Sequence, residues 1–444
     1  MSELQRAWAR AKMSNLEPYD EFDEEDEEED SVPELPGQSA TDREDDSSSA
    51  SSASSASSTG TIIPSPSRNL FARPGVPRPG RSLEQIPWTT YFERELFLGR
   101  PDMPAGTESG GGGSKNVNVN SSEASTITHH VYLTSPVPPG PLFITHHGAG
   151  SSALSFAVLS SEIRKQLPNA GILSLDARGH GLTTITSNLS YTSSDTEKLP
   201  VDLSLSTLSN DLIHVVKLAQ KEMRWETLPP LILVGHSLGG AVVTDVAMST
   251  RLGTAVLGYA VLDVVEGSAM DALQSMLTYL SARPTGFASL QAGIDWHIRS
   301  RTIRNSISAR TSVPALLVHE DEDGSAEAVE PSPSRHTHHR PWKWRTDLAA
   351  TQPFWEGWFT GLSTKFLGAR GGKLLLLAGT DRLDTELTIG KYALQVFPEA
   401  GHFIHEDLPE KTALTLADFY RRNDRSTLVL PPKVSDLLKQ GKRI

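Results

Sequence analysis

Cysteine is absent from all 444 residues, which excludes disulfides and a thiol nucleophile and fits an intracellular protein of the cytoplasm or nucleus. No apolar run reaches membrane-spanning length, and the N-terminus lacks the apolar core of a signal peptide. An excess of positive charge is missing too. The first 46 residues hold 17 acidic side chains against 4 basic ones and so carry the whole formal net charge of −13, leaving the remainder neutral. A neutral body argues against a nucleic-acid binder, and no partner membrane or nucleic acid is expected. The acidic run from Glu21 to Asp30 and the Ser/Ala stretch at 47–58 cannot bury a core, so 1–86 is expected to be a disordered tail.

What is present is one large α/β domain at 87–425, with a short extension at 426–444. Apolar runs at 141–144, 171–175, 231–234, 258–262, 374–377 and 393–397 lack strict alternation, as in strands covered on both faces. Segments at 153–167, 205–223, 240–250 and 409–422 space apolar residues by three and four. Strands alternating with helices predict a doubly wound, mostly parallel sheet. The excursion at about 264–312, with helical patterns at 268–280 and 287–299, reads as a helical cap over the substrate entrance. Two low-complexity segments, 106–126 and 319–340, read as flexible loops. The second holds His336, His338 and His339, but no cysteine or ordered carboxylate spacing accompanies them, so no metal site is expected.

Chemistry concentrates at strand ends. Gly235-His236-Ser237-Leu238-Gly239 follows an apolar strand directly and reads as a nucleophile elbow, with Ser237 as nucleophile. Thr145-His146-His147-Gly148-Ala149-Gly150 follows another strand where such a fold keeps its oxyanion loop. The two backbone donors are assigned to Leu238, the residue after the nucleophile, and Ala149. His402, at the apex of a loop after the last strand, reads as general base, whereas His405-Glu406-Asp407 reads as a polar N-terminus for the helix that follows. His180, in Asp176-Ala177-Arg178-Gly179-His180-Gly181, reads as structural. The chain order serine, acid, histidine is satisfied twice. Asp381 and Asp384 follow the strand at 374–377, the usual place for the acid, and Asp263 ends the strand at 258–262.

Six segments together resemble one family. They are Pro87-Trp88-Thr89-Thr90-Tyr91-Phe92, His147-Gly148-Ala149-Gly150 with Ser152 to Phe156, the elbow through Gly240, Asp263-Val264-Val265-Glu266-Gly267 through Leu273, Phe354-Trp355-Glu356-Gly357-Trp358-Phe359, and Ala378 to Asp384. The chain is similar in these to the protein phosphatase methylesterases, over roughly 87–425 without the two insertions. The resemblance implies the alpha/beta-hydrolase fold and a serine carboxylesterase acting on the C-terminal leucine methyl ester of the protein phosphatase 2A catalytic subunit, with no metal or organic cofactor. It also implies that the acid is Asp263, leaving Asp381 and Asp384 structural. The acidic N-terminus and Ala149, where the family often has glycine, depart from the pattern. Two other readings remain at this stage, a general small-ester or thioester hydrolase and a non-catalytic phosphatase-binding protein. A protein-tail substrate further predicts that the cap and the aromatic region 342–358 form a groove, although those aromatics equally suit a core.

Overall fold

The computed structural model describes residues 82–101, 125–186, 201–321, 339–379, 383–424 and 426. Twelve strands are found among them: β1 (Arg94–Pro101), β2 (Thr126–Thr134), β3 (Leu142–His146), β4 (Gly171–Leu175), β5 (Thr184–Thr186), β6 (Leu231–His236), β7 (Val256–Leu262), β8 (Gly286–Phe287), β9 (Leu317–His319), β10 (Trp342–Trp344), β11 (Gly372–Leu377) and β12 (Ala393–Val396). The main sheet has the order β1-β2-β4-β3-β6-β7-β11-β12, with β5 on β2. From β4 to β12 every pairing is parallel, while β2 runs antiparallel to β1, β4 and β5. The expected mostly parallel sheet is therefore present, extended at one edge by antiparallel strands.

Every residue of β3, β4 and β6 is buried, which explains why their sequences show no polar alternation. Successive side chains nonetheless go to opposite faces. Ile144, Leu173, Leu231, Leu233, Val261 and Leu375 join one core; Phe143, Ile172, Ile232, Val234, Leu262 and Leu374 join the other. Helices α1 (Ala157–Gln166), α2 (Leu205–Glu222) and α3 (Leu238–Ser249) follow β3, β5 and β6. α2 and α3 cover the first face, through residues such as Leu212, Val216, Val242 and Val246. α1 covers the second, with Leu159 and Ile163. Ser204 caps α2 by accepting the Thr207 N–H, satisfying one of the free donors of its first turn. Removing a fully buried side chain from either core, as in Leu233→Ala, costs roughly 2–5 kcal/mol.

The cap segment begins with α4 (Glu266–Ala282), then α5 (Leu290–Arg299) and α6 (Ser306–Ser312). It does not stop at 312. β8, β10 and β9 pair into a second, three-stranded antiparallel sheet, so the chain on both sides of 322–338 belongs to the same subdomain. Phe287, Ile294, Trp296, Ile303, Val313 and Leu317 form its own small core, with Trp342 and Trp344 packed on it. Strands of two or three residues carry too little pattern to announce themselves. Three boundaries also shift. His319 ends β9 rather than opening a loop, Thr126 opens β2, and Leu83 packs on the small core while Ile86 N–H donates to Arg310 O, so 83–86 does not belong to a free tail. The rest of the tail, most of both loops, Asp381 and 427–444 lie outside the described residues.

The chain returns to the main sheet through α7 (Trp355–Phe359) and α8 (Leu362–Gly368) before β11. Trp355, Trp358 and Phe359 are buried in the main core; the two indoles donate to Thr351 Oγ1 and Leu203 O, both at 2.7 Å. Trp344 donates to Pro284 O at 2.7 Å. Trp355, Trp358 and Phe359 thus serve the interior, as the core reading of the region had it, while Trp342 and Trp344 are half-buried. After β11 come α9 (Thr385–Thr388), α10 (Ile404–Asp407) and α11 (Pro409–Asn423), the last covering the second face with Leu416 and Phe419. Among the described residues no helix is long and apolar enough to cross a membrane.

Candidate active site

β6 becomes α3 across a single residue, Ser237, whose φ of 53° and ψ of −121° put a side-chain-bearing residue in territory that favours glycine. The surroundings impose that turn. A Cβ on Gly235 would lie 2.0 Å from Gly239 O, and one on Gly239 would lie 2.1 Å from His146 O, so neither position accepts a side chain. Ser237 N–H donates to Leu262 O at 3.0 Å and Gly240 N–H to Ser237 O at 2.8 Å, which ties the turn to the end of β7 and to α3. The side chain is left half-buried at the strand ends. Ser237 Oγ makes no hydrogen bond among the described residues; nucleophile–base bonds commonly tighten only with substrate in place.

Asp263 follows β7, also at a positive φ, 51°. Its N–H donates to Leu376 O at 2.8 Å and its Oδ1 accepts the Ala378 N–H at 2.9 Å, so the carboxylate is fixed against the end of β11. Its Oδ2 lies 2.8 Å from Nδ1 of His402. The aspartate side chain is fully buried, whereas that of His402 is 35 % exposed and can face a substrate with Nε2. Of the two acids the sequence left open at the end of β11, Asp384 is engaged elsewhere: it accepts the Gly267 N–H at 3.0 Å and the Ser363 hydroxyl at 2.5 Å. Asp381 lies outside the described residues.

The loop bearing His402 is gripped from three sides. Besides Asp263, Nε2 of His236 donates to the His402 carbonyl at 2.9 Å, and Asp407 Oδ2 accepts the Gly401 N–H at 2.6 Å. Burial, with the neighbouring His402 second, pushes His236 down to about 3, which keeps it a neutral donor. His405 is not the polar helix start the sequence suggested. It lies inside α10, fully buried between Phe156 and His236 at ring separations of 4.3 and 4.6 Å, and burial drives its pKa well down. The adjacent Glu406 is buried as well, with its carboxyl pushed well up by that burial and accepting the Ser312 hydroxyl at 2.5 Å. The polar triplet forms a short buried helix of its own, α10, and the helix it was expected to open, α11, starts only at Pro409.

The loop after β3 abuts the elbow: a Cβ on Gly148 would stand 3.0 Å from that of Ser237. Neither Ala149 N–H nor Leu238 N–H has an acceptor among the described residues, while the next amide, Gly150 N–H, is occupied by Nε2 of His180 at 2.9 Å. Leu238 N–H opens a helix, where such donors are free by construction. Among the described residues no cluster of three or more His, Asp or Glu side chains is arranged for a metal ion; His336 and His338 fall outside them.

Residues 142–414 match the alpha/beta hydrolase family. The peroxisomal alpha/beta-hydrolase Lpx1 of Saccharomyces cerevisiae superposes with a TM-score of 0.51 at 11% identity, over 79% of this chain and 96% of that one, a likeness of fold alone. Sequence similarity runs much closer to proteins named protein phosphatase methylesterase 1. The chain is 63% identical to the one from Gibberella zeae over the full length of both. It is 67% identical to that of Neurospora crassa over 87% of this chain and 86% of that protein. Similarity persists in Schizosaccharomyces pombe at 43%, over 78% of this chain and 87% of that protein. Identity of this extent across both lengths shows the family: the chain belongs to the protein phosphatase methylesterase family of alpha/beta hydrolases.

Proposed function

We propose that this chain hydrolyses the methyl ester on the C-terminal leucine of the protein phosphatase 2A catalytic subunit, with Ser237, His402 and Asp263 as its catalytic triad. Ser237 Oγ attacks the ester carbonyl while Nε2 of His402 takes its proton. Asp263 holds Nδ1–H, which fixes the tautomer and stabilises the imidazolium as it forms. Negative charge on the carbonyl oxygen is met by the N–H groups of Leu238 and Ala149. His402 returns the proton to the departing methoxide and methanol leaves. Water, activated by the same imidazole, then attacks the acyl-serine and releases the free carboxylate.

The observation that carries this reading is the 2.8 Å contact between His402 and Asp263 on the loop that His236, the residue before Ser237, also holds. The test is incubation with carboxymethylated phosphatase catalytic subunit, following methanol release and loss of the ester. Wild type should demethylate it and Ser237→Ala should not, with loss of labelling by a serine-directed fluorophosphonate. Equal turnover of unrelated aryl esters and the phosphatase tail would instead make this a general esterase.

A further inference from the structure

The two peptide planes flanking Ala149 are each held by a buried imidazole, and neither imidazole belongs to the triad. In the plane shared by the Gly148 carbonyl and the Ala149 N–H, the carbonyl accepts from Nδ1 of His147 at 2.7 Å and from Ser151 N–H at 3.1 Å. Because a trans peptide points its C=O and N–H in opposite directions, fixing that carbonyl fixes where the Ala149 N–H points. In the next plane, Gly150 N–H donates to Nε2 of His180 at 2.9 Å.

Each ring is locked into one tautomer by its second nitrogen. His180 lies 2.9 Å from the Arg178 carbonyl through Nδ1, so Nδ1 carries the proton and Nε2 is free to accept. His147 donates through Nδ1 and accepts the Ala177 N–H on Nε2 at 2.9 Å. The arrangement is reciprocal: a histidine from the loop after β3 accepts a backbone N–H from the loop after β4, and a histidine from the loop after β4 returns the favour. The rings stand 5.1 Å apart, and His147 and His180 are 1 % and 2 % exposed. Burial holds both below the ordinary imidazole range, which keeps the accepting nitrogens unprotonated. Asp176 adds a third tie between the loops by accepting the Ala153 N–H at 2.7 Å.

We propose that His147 and His180 are positioning residues of the oxyanion loop, which set the backbone on both sides of Ala149 and so aim its N–H at the oxygen of the reacting carbonyl. This rests on the reading of Ser237 as nucleophile, and it gives the Asp176 to Gly181 segment a role in transition-state binding rather than in stability alone. Occupation of Gly150 N–H by His180 also leaves Ala149 as the donor of this loop.

The test compares His180→Gln with His180→Met. The two side chains have similar length, and both lose the bond to Arg178 O, but only glutamine offers a carbonyl near the former Nε2. Turnover of p-nitrophenyl acetate is measured with affinity for a trifluoromethyl ketone, whose adduct with Ser237 mimics the oxyanion. Outright loss of an oxyanion donor costs about 10²–10³ in kcat, so loss of its alignment should cost roughly ten- to a hundredfold. The methionine variant should show that fall with KM within about twofold, and an equal loss of ketone affinity; the glutamine variant should keep kcat within roughly threefold of wild type. Equal kcat in the two variants, or a loss confined to KM, overturns the proposal. Should the methionine variant not fold, glutamine decides, because a folded glutamine variant down a hundredfold is incompatible with rescue by an acceptor. Failure of the underlying reading shows separately, as no hydrolysis by wild type or undiminished hydrolysis by Ser237→Ala.

Discussion

At Ser237 the backbone does the holding, whereas at His402 the side chains do. The elbow is a one-residue turn between β6 and α3, pinned by main-chain bonds to Leu262 and Gly240 and by glycines that nothing larger can replace. The His402 loop has main-chain turns on either side, from Ala400 N–H to Phe397 O and from Glu406 N–H to Phe403 O, but at His402 and Gly401 the contacts come from the side chains of Asp263, His236 and Asp407. The first arrangement writes itself into sequence as a short glycine pattern. The second spreads over residues separated by up to 166 positions and leaves no local trace. The loop after β3 lies between these cases, with glycines near the elbow and two imidazoles behind.

The contrast breaks most sharply at the acid. Asp263→Asn keeps the size of the side chain, but an amide facing Nδ1 leaves the imidazole in the wrong tautomer, a defect worth about 10⁴ in kcat. The variant should melt normally, since Ala378 N–H can still be accepted by the amide oxygen. Asp384→Asn should keep turnover within about threefold while losing roughly 1–2 kcal/mol of stability, because its bonds go to Gly267 and Ser363 rather than to the base loop. Parallel kinetics and melting curves decide it. A folded but dead Asp384→Asn beside an active Asp263→Asn would move the acid to the end of β11.

How much of this was readable beforehand follows the same division. The central strands were legible because burial on both faces demands unbroken apolar runs, as in Leu231 to Val234. The paired strands β8, β9 and β10 were not, since two or three residues such as Trp342-Lys343-Trp344 fit core, loop and strand alike. The sharp turn at Ser237 could be placed to the residue, because its flanking glycines are required there, while the pairing of His402 with Asp263 rather than with a carboxylate after β11 needed either family likeness or the folded structure. His405 was misjudged because a His-Glu-Asp triplet looks solvent-facing, and only the packing of Phe156 and His236 on its ring shows otherwise. The ties from His147 and His180 end on backbone groups, which are the same for every residue and so leave nothing to read.

A scaffold of buried neutral imidazoles should also make the protein sensitive to acid. Burial lowers His129, His146 and His297 to about 4 and His236 to about 3, and pushes His147, His180 and His405 down as well. In the unfolded chain these rings take up protons near pH 6.5, whereas in the fold they do not, so each subtracts up to about 1.4 kcal/mol per pH unit as pH drops below that value. Glu406 and Asp407, raised by burial, and His130, raised by Asp176 and Glu95 against its own burial, bind more protons folded than unfolded and oppose the trend. The histidines outnumber them. Melting temperature should therefore fall by about 5 °C or more between pH 7.5 and 5.5, with net proton uptake on unfolding. A flat or rising profile would mean that the rings are not neutral donors and acceptors in the fold.

The smallest expected effect concerns the third grip on the base loop. Asp407 accepts two main-chain donors, Gly401 N–H at 2.6 Å and Arg304 N–H at 2.7 Å, and so ties the residue before His402 to the start of α6. Asp407→Ala leaves both donors without their acceptor, a loss of about 1–3 kcal/mol in stability. Because Asp263 and His236 still hold the imidazole and its carbonyl, kcat should fall only about three- to tenfold, with KM for a small ester unchanged. Main-chain support of the elbow is untouched, so labelling of Ser237 by a fluorophosphonate should slow by the same modest factor rather than disappear. The comparison between the two holding modes is sharpened by one further substitution, Asp407→Asn. Its amide retains one acceptor oxygen but turns a donor toward one of the two N–H groups, so its stability should lie between wild type and alanine. An Asp407→Ala variant as inactive as Asp263→Asn, measured per folded molecule, would show that the three grips act as one unit and that the loop has no redundancy.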